Sequence, residues 1–284
     1  MLAALIIVFR EVIEAGLIVG IVLAATKGVA QRSLWVGAGI AAGVLGACLV
    51  AAFASQISNL FEGYGQELFN ASILILAVGM LTWHNVWMAG HGKQMAREMR
   101  SLGAEVTAGR RTLTALAVVV GVAVLREGSE VVLFLYGVAA QGGLSTASVL
   151  AGGSLGLVAG AAVSAAMYFG LLTIPAHRLF SVTGWLITLL AAGMASQAVL
   201  FLQNGGYLQF LMTPLWDTSW LLPEAGEGVL GIVGRMLHTL IGYSDQPDGL
   251  QLIAYLGTIV VINVLMRVVN RNKPLPAAIP SPAE

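Results

Sequence analysis

The chain consists largely of long apolar runs separated by short polar segments. The runs that could form helices cover residues 2–26, 34–55, 67–90, 112–140, 146–172, 179–203 and 249–268. A run of about 18 apolar residues or more is typical of a helix that spans a bilayer. The runs are continuous and do not alternate with a period of two, which argues against a transmembrane barrel. The pattern predicts an all-α integral membrane protein with seven transmembrane helices.

The composition agrees with a membrane protein. Hydrophobic residues make up 58% of the chain and charged residues only 10%, whereas soluble domains carry about 25% charged residues. The net charge of zero gives no indication of nucleic-acid binding. The single cysteine, Cys48, lies in an apolar run, so the chain has neither an internal disulfide nor a CxxC motif.

Basic residues of the loops fall on one side of the predicted bundle. With seven spans, that side receives segments 27–33 and 91–111, Arg178 and the C-terminal end, while the other side has only Arg235. Cytoplasmic loops are enriched in Lys and Arg. We therefore expect a multi-pass protein of the plasma or bacterial inner membrane, with its N-terminus outside and its C-terminus in the cytoplasm.

Residues 1–270 are predicted to form a single transmembrane domain. Between the sixth and seventh helices, segment 204–248 includes an amphipathic stretch from about 228 to 242, which predicts a helix lying on the outer surface. The tail 271–284 is rich in proline and is predicted to be a disordered cytoplasmic segment.

A charged pentapeptide occurs twice, in the first and fourth predicted helices. Its copies are Arg10-Glu11-Val12-Ile13-Glu14 and Arg126-Glu127-Gly128-Ser129-Glu130. Weaker matches at an offset of 114 residues pair Gly39 with Gly153 and Gly46 with Gly160. Because charged residues are rare in spanning helices, the doubled pentapeptide indicates an internal repeat.

The repeat unit contains three helices, an odd number, so its second copy should insert upside down relative to the first. Repeat one covers about 1–90 and repeat two about 112–203, with the seventh helix, 249–268, outside the repeat. In transporters built from such inverted repeats, the substrate site lies near the bilayer midplane where the repeats meet. We predict a 3+3 inverted repeat with its site at the two pentapeptides.

Each pentapeptide places its three charged residues on one helical face, because their spacings are three and four residues. Burying one charge at mid-bilayer costs about 2.5–3.5 kcal/mol, so the two faces should meet each other or water. The carboxylates are Glu11, Glu14, Glu127 and Glu130, and only Arg10 and Arg126 oppose them. A structural ion-pair lock does not need this surplus of negative charge, whereas a bound cation would offset it, and carboxylate oxygens suit a hard cation.

Two Arg-Glu-x-x-Glu motifs in the first and fourth helices resemble the oxidase-dependent iron transporter family, which includes fungal high-affinity iron permeases and bacterial Efe-type ferrous iron permeases. The resemblance covers about residues 1–270. It extends to Glu67-Leu68-Phe69 and to Leu81-Thr82-Trp83-His84-Asn85-Val86-Trp87-Met88. Val12 stands where the family often has glycine, while Gly128 keeps the family residue.

The resemblance implies an iron permease whose four motif glutamates bind Fe2+ or Fe3+ during passage. It also implies that Arg10 and Arg126 orient these carboxylates and keep them charged. Iron is then the transported substrate, and no cofactor is permanently bound. Members of the family typically work with an external protein that oxidises or delivers iron, so a partner of that kind is expected.

Three further residues are candidates for secondary roles. Glu62 and Glu67 precede or begin the third predicted helix, where they could recruit iron; alternatively, Glu67 only favours a helix N-terminus. His84 would suit iron as a ligand. The alternative is a histidine hydrogen-bonded among helices, beside an interfacial belt formed by Trp83 and Trp87.

Other functions remain open at this point. The same site could pass another divalent cation, such as Mn2+ or Pb2+, since geometry and delivery decide metal choice. An intramembrane di-iron enzyme is an alternative of a different class, but that chemistry usually uses Glu-x-x-His pairs, and both motifs here end in glutamate. The charge surplus argues against a purely structural subunit.

Overall fold

The computed structural model describes residues 1–59, 66–140, 145–170, 176–224 and 228–271. Within these ranges the helices are joined by turns and irregular segments, and there is no strand. The helices are α1 (Leu2–Ala25), α2 (Arg32–Asn59), α3 (Gln66–Thr107), α4 (Thr114–Ala140), α5 (Thr146–Tyr168), α6 (Ala176–Asn204), α7 (Gly228–Ile241) and α8 (Gly249–Arg271). The all-helical prediction is confirmed for the described residues, while most of the tail 271–284 lies outside them.

Five of the helices are long and apolar enough to cross a membrane: α2, the first 23 residues of α3, α5, α6 and α8. Helices α1 and α4, of 24 and 27 residues, are just as long, but each carries the charged residues of one pentapeptide. A spanning helix with such charges normally turns them towards a protein interior.

The prediction of a loop over 91–111 is wrong for most of its length, because α3 continues to Thr107. Beyond residue 91 the chain is polar but rich in good helix formers such as Lys, Gln, Met, Ala, Arg and Glu. One turn is further stabilised by Gln94, whose Nε2 donates to Glu98 Oε1 at 2.9 Å. Polarity ends the apolar run there, whereas the helix continues.

Within segment 204–248 the structure describes residues 204–224 and 228–248. The segment contains α7 at the amphipathic stretch identified in the sequence, and two backbone bonds tie its ends together: Leu215 N donates to Pro247 O, and Thr218 N donates to Asp245 O, both at 2.9 Å. The location of this segment on the outer surface stays a prediction.

Helices of the two predicted repeats pack in exchanged pairs. The most extensive contacts of α1 are with α5, those of α2 are with α4, and α3 lies against α6. Exchanging the repeats turns the α1–α5 pair into the α4–α2 pair and leaves the α3–α6 pair in place. This arrangement is what a two-fold related repeat would produce.

Glycines on α2 and α5 allow these pairs to approach closely. A Cβ atom at Gly39 would lie 2.5 Å from the Ala117 carbonyl oxygen of α4, and one at Gly152 would overlap the Met1 carbonyl oxygen at the start of α1. Ala117 and Met1 are 116 residues apart, the same offset as the pentapeptides, whereas Gly39 and Gly152 are 113 apart. Structurally equivalent positions of α2 and α5 therefore differ by 113 residues, one fewer than the sequence matches suggested.

Candidate metal site

The two pentapeptides face each other inside the helical bundle. Arg10, Glu11, Glu14 and Glu127 are each no more than 3% exposed, and the Glu130 side chain is 13% exposed. Sequence spacing predicted that each motif would form one stripe, and the i to i+4 pairs are present: Arg10 Nη2 lies 3.0 Å from Glu14 Oε1, and Arg126 Nε lies 3.1 Å from Glu130 Oε1. The charged faces of α1 and α4 thus point to a shared interior.

His84 of α3 lies between the two motifs and is 2% exposed. Its Nε2 is 3.3 Å from Glu14 Oε2 and 3.8 Å from Glu11 Oε2. Its Nδ1 contacts Glu130 Oε2 on the other motif. A single imidazole therefore links carboxylates of both repeats, and α3 supplies a third wall to the site.

The two arginines differ in their surroundings. Arg10 contacts both glutamates of its own motif at 3.0 Å, and its side chain is 3% exposed. The Arg126 side chain is 33% exposed, and its guanidinium carbon lies 4.3 Å from the centre of the Trp87 ring, an attractive cation–π arrangement. Motif one is therefore closed around its arginine, whereas motif two leaves its arginine partly open.

One ligand atom from each of Glu11, His84, Glu127 and Glu130 lies within 4.8 Å of the others. Glu11 Oε2 and Glu127 Oε2 are buried and accept no hydrogen bond from the described residues. Glu127 is the least neutralised carboxylate, since its nearest cation is Arg126, whose Nε is 3.9 Å from Glu127 Oε1. An uncompensated carboxylate is costly to bury, and a cation bound between these oxygens would offset that cost. Oxygen donors with one imidazole suit a transition metal such as iron.

Apolar residues separate the site from both ends of the bundle. Along α1, α3 and α4, one core cluster lies on one side of the charged residues and includes Ile7, Leu81 and Phe134. A second cluster lies on the other side and includes Val22, Val106 and Val120. The carboxylates thus occupy a polar layer enclosed by two apolar layers, where their electrostatic interactions are screened only weakly.

Of the two acidic candidates for an entry site, Glu67 does not join this cluster. Glu67 is half-buried in the first turn of α3, close to Gly205 at the end of α6, and Glu62 lies outside the described residues. From the sequence, His84 was predicted to have only a secondary role, because a lone histidine in an apolar run is usually a satisfied core residue. The clearest signal for it was its spacing, seven residues after Ala77 and three after Leu81, which places it on the buried face of α3.

Comparison with known proteins identifies relatives along nearly the whole chain. Residues 1–273 match the iron permease FTR1 family. The chain is 29% identical over 251 residues to the ferrous iron permease EfeU of Yersinia pestis, covering 87% of this chain and 86% of that one. It is 27% identical over 252 residues to the ferrous iron permease EfeU of Shigella sonnei, covering 87% and 88%. No solved structure shows significant similarity to it.

These matches agree with the long apolar helices, and they indicate a transporter, which removes the di-iron enzyme alternative. The chain belongs to the iron permease FTR1 family.

Proposed function

We propose that this permease imports iron across the plasma or bacterial inner membrane through the polar layer where its two pentapeptides meet. Glu11, Glu14, Glu127 and Glu130 would bind the ion, and His84 would add a nitrogen ligand. The observation that carries the proposal is that four ligand atoms from α1, α3 and α4 converge within 4.8 Å in a buried position. Residues so placed can replace the water molecules of a dehydrated ion.

The membrane arrangement belongs to the same proposal. Helices α1 and α4 would cross the membrane together with the five apolar spans, with the N-terminus outside and the C-terminus in the cytoplasm. In this orientation Asp217 and Glu224 of segment 204–248 face the outside, where acidic residues concentrate cations. A protein that oxidises or delivers iron would meet the permease on this side.

His84 favours a transition metal over Mg2+ or Ca2+, because imidazole is a common ligand of transition metals whereas Mg2+ and Ca2+ bind mainly oxygen ligands. Mn2+ and Pb2+ remain competing substrates, and both Fe2+ and Fe3+ are compatible with a carboxylate-rich site. Uptake assays should therefore include a metal competition series.

The test is uptake of radiolabelled iron by cells that express the wild type, Glu14→Ala or Glu130→Ala at matched protein levels in the membrane. Each variant should lose nearly all uptake, because Glu130 belongs to the converging set and Glu14 holds His84 in place, its Oε2 lying 3.3 Å from His84 Nε2. Glu98→Ala is the matched control: Glu98 is an exposed glutamate of α3, and its loss should leave uptake unchanged. Normal uptake in both motif variants would refute the site assignment.

A further inference from the structure

A cavity of about 450 Å³ lies between α1 and α5, next to the extension of α3. Near the middle of α1 its walls are Gly16, Leu17 and Gly20, with Ser164 of α5. At the far end it is lined by Ala25, the last residue of α1, and by Arg100 of α3. Its size is typical of a small-ligand site, and none of its described lining residues belongs to the carboxylate cluster.

A bond between α1 and α3 sets the level of Arg100 relative to the membrane. Thr107 Oγ1, at the end of α3, donates to the Ala25 carbonyl at 3.1 Å. Along α1, Ala25 is about 17 Å beyond Glu14, whereas Thr107 is about 35 Å beyond His84 along α3. Glu14 and His84 are in contact, so α3 must run obliquely. Arg100 therefore lies near the end of α1, at the level expected for lipid headgroups.

Arg100 has no acidic partner among the residues that the structure describes. It is exposed, and the ion pairs among the described side chains do not include it. The described lining also contains no carboxylate. The cavity thus offers one positive charge at its outer end and apolar walls along the rest of its length.

We propose that this cavity binds an anionic phospholipid, with the lipid phosphate on Arg100 and one acyl chain along the face of α1 that carries Gly16, Leu17 and Gly20. Basic pockets between spanning helices on the cytoplasmic side are suited to acidic headgroups, and the positive-inside prediction puts this end of α1 in the cytoplasmic leaflet. A free anion would have no use for the apolar walls. A cation would meet only the positive charge of Arg100.

Native mass spectrometry of the purified full-length chain tests the proposal. The chain is presented with equal amounts of phosphatidylglycerol and phosphatidylcholine, and the retained lipids are counted. One arginine near the headgroups should give about fivefold preference for phosphatidylglycerol. Arg100→Gln should abolish this preference, while Arg97→Gln, an exposed neighbour on the same extension, should keep it.

Two further measurements separate the contribution of the cavity from that of the Arg100 charge. Gly20→Leu should lower retention of phosphatidylglycerol by filling the cavity. Ala24 also lines the cavity, so Ala24→Leu serves the same purpose if Gly20→Leu does not fold, as judged by size-exclusion elution. Inorganic phosphate should not displace the lipid. Any of four results would overturn the proposal: equal retention of the two lipids by the wild type, an unchanged preference in Arg100→Gln, full retention in the variants that fill the cavity, or displacement of the lipid by inorganic phosphate. Iron uptake plays no part in these readouts, so they are independent of the proposed transport site.

Discussion

Arg10 and Arg126 occupy the same place in their motifs, yet they should contribute differently to stability. Arg10 neutralises two carboxylates in a fully buried position, whereas the Arg126 side chain is 33% exposed and rests on Trp87. Removing one partner of a buried ion pair leaves a charge without compensation, which costs far more than losing a partly solvated pair.

Arg10→Gln is therefore expected to destabilise the protein by about 3–5 kcal/mol. Arg126→Gln should cost only about 1–2 kcal/mol, because the ion pair it removes is partly solvated and the other interaction lost is the contact with Trp87. Thermal unfolding of the two purified variants in the same detergent measures the difference. Equal losses, or a larger loss for Arg126→Gln, would mean that motif one is not the more tightly closed of the two.

At the residue scale, the glutamates were predictable and the role of His84 was only partly so. The sequence shows four carboxylates against two arginines, and simple charge counting already points to a cation. His84 has no charged neighbour in sequence, and its role depends on α3 passing between α1 and α4, a tertiary arrangement that local spacing does not encode.

At the scale of elements, close helix packing is concentrated at glycines that face a backbone. A Cβ at Gly156 would lie 2.5 Å from the Leu5 carbonyl oxygen, whereas one at Gly37 would meet nothing within 4 Å. Both glycines lie inside helices, α5 and α2 respectively. Comparing alanine substitutions at these two positions therefore separates the effect of close packing on stability from that of helix propensity.

Gly156→Ala should destabilise the protein by about 1–3 kcal/mol, because α5 must move away from α1 to make room for the methyl group. Gly37→Ala should be neutral or stabilising by up to about 1 kcal/mol, because alanine favours a helix and the site is open. Thermal unfolding midpoints of both variants check this. A neutral Gly156→Ala would contradict the close α1–α5 approach.

A titratable histidine, His238, makes contacts in segment 204–248 that should stabilise α7. His238 Nδ1 lies 2.8 Å from the Tyr243 carbonyl and 3.4 Å from Glu224 Oε2. Burial alone would lower the pKa of His238, but the hydrogen bond and charge of Glu224, helped by the Tyr243 carbonyl and Asp245, raise the pKa above its usual 6.5.

A histidine whose pKa is raised on folding stabilises the folded form fully below its unfolded pKa, and this contribution is lost as the pH rises through the raised value. Protection of the α7 amides from hydrogen exchange, corrected for the intrinsic rate, should therefore fall as the pH rises from about 6.5 through the raised pKa of His238. Glu224→Gln should flatten the profile. An equally steep profile in that variant would show that another group is responsible.

The limits of sequence reasoning at this scale are clearest in α3. Its apolar part was predicted within a few residues, because bilayer thickness fixes the length of such a run. Its continuation to Thr107 was missed, because outside the membrane helix length depends on propensity and on docking contacts such as Thr107 with Ala25.

At the scale of the whole molecule, the exchanged packing of α1 with α5 and α2 with α4 fits two inverted copies of one unit. The motif surroundings break this symmetry among the described residues, since α3 supplies a histidine and Arg126 is partly exposed whereas Arg10 is buried. In transporters of this plan, one repeat rocks or gates against the other around a fixed site, and this movement decides which side is open. The doubled motif predicted the repeat, but its asymmetry depends on side-chain contacts between distant helices.

The proposed transport site requires an iron ion in the space shared by the two motifs. Locating iron by anomalous X-ray scattering in crystals of the iron-loaded protein tests this directly. The expected result is one iron peak bounded by Glu11, His84, Glu127 and Glu130, lost in Glu127→Gln but retained in Glu98→Gln. Iron bound elsewhere, or two motifs too far apart to share one ion, would contradict the account.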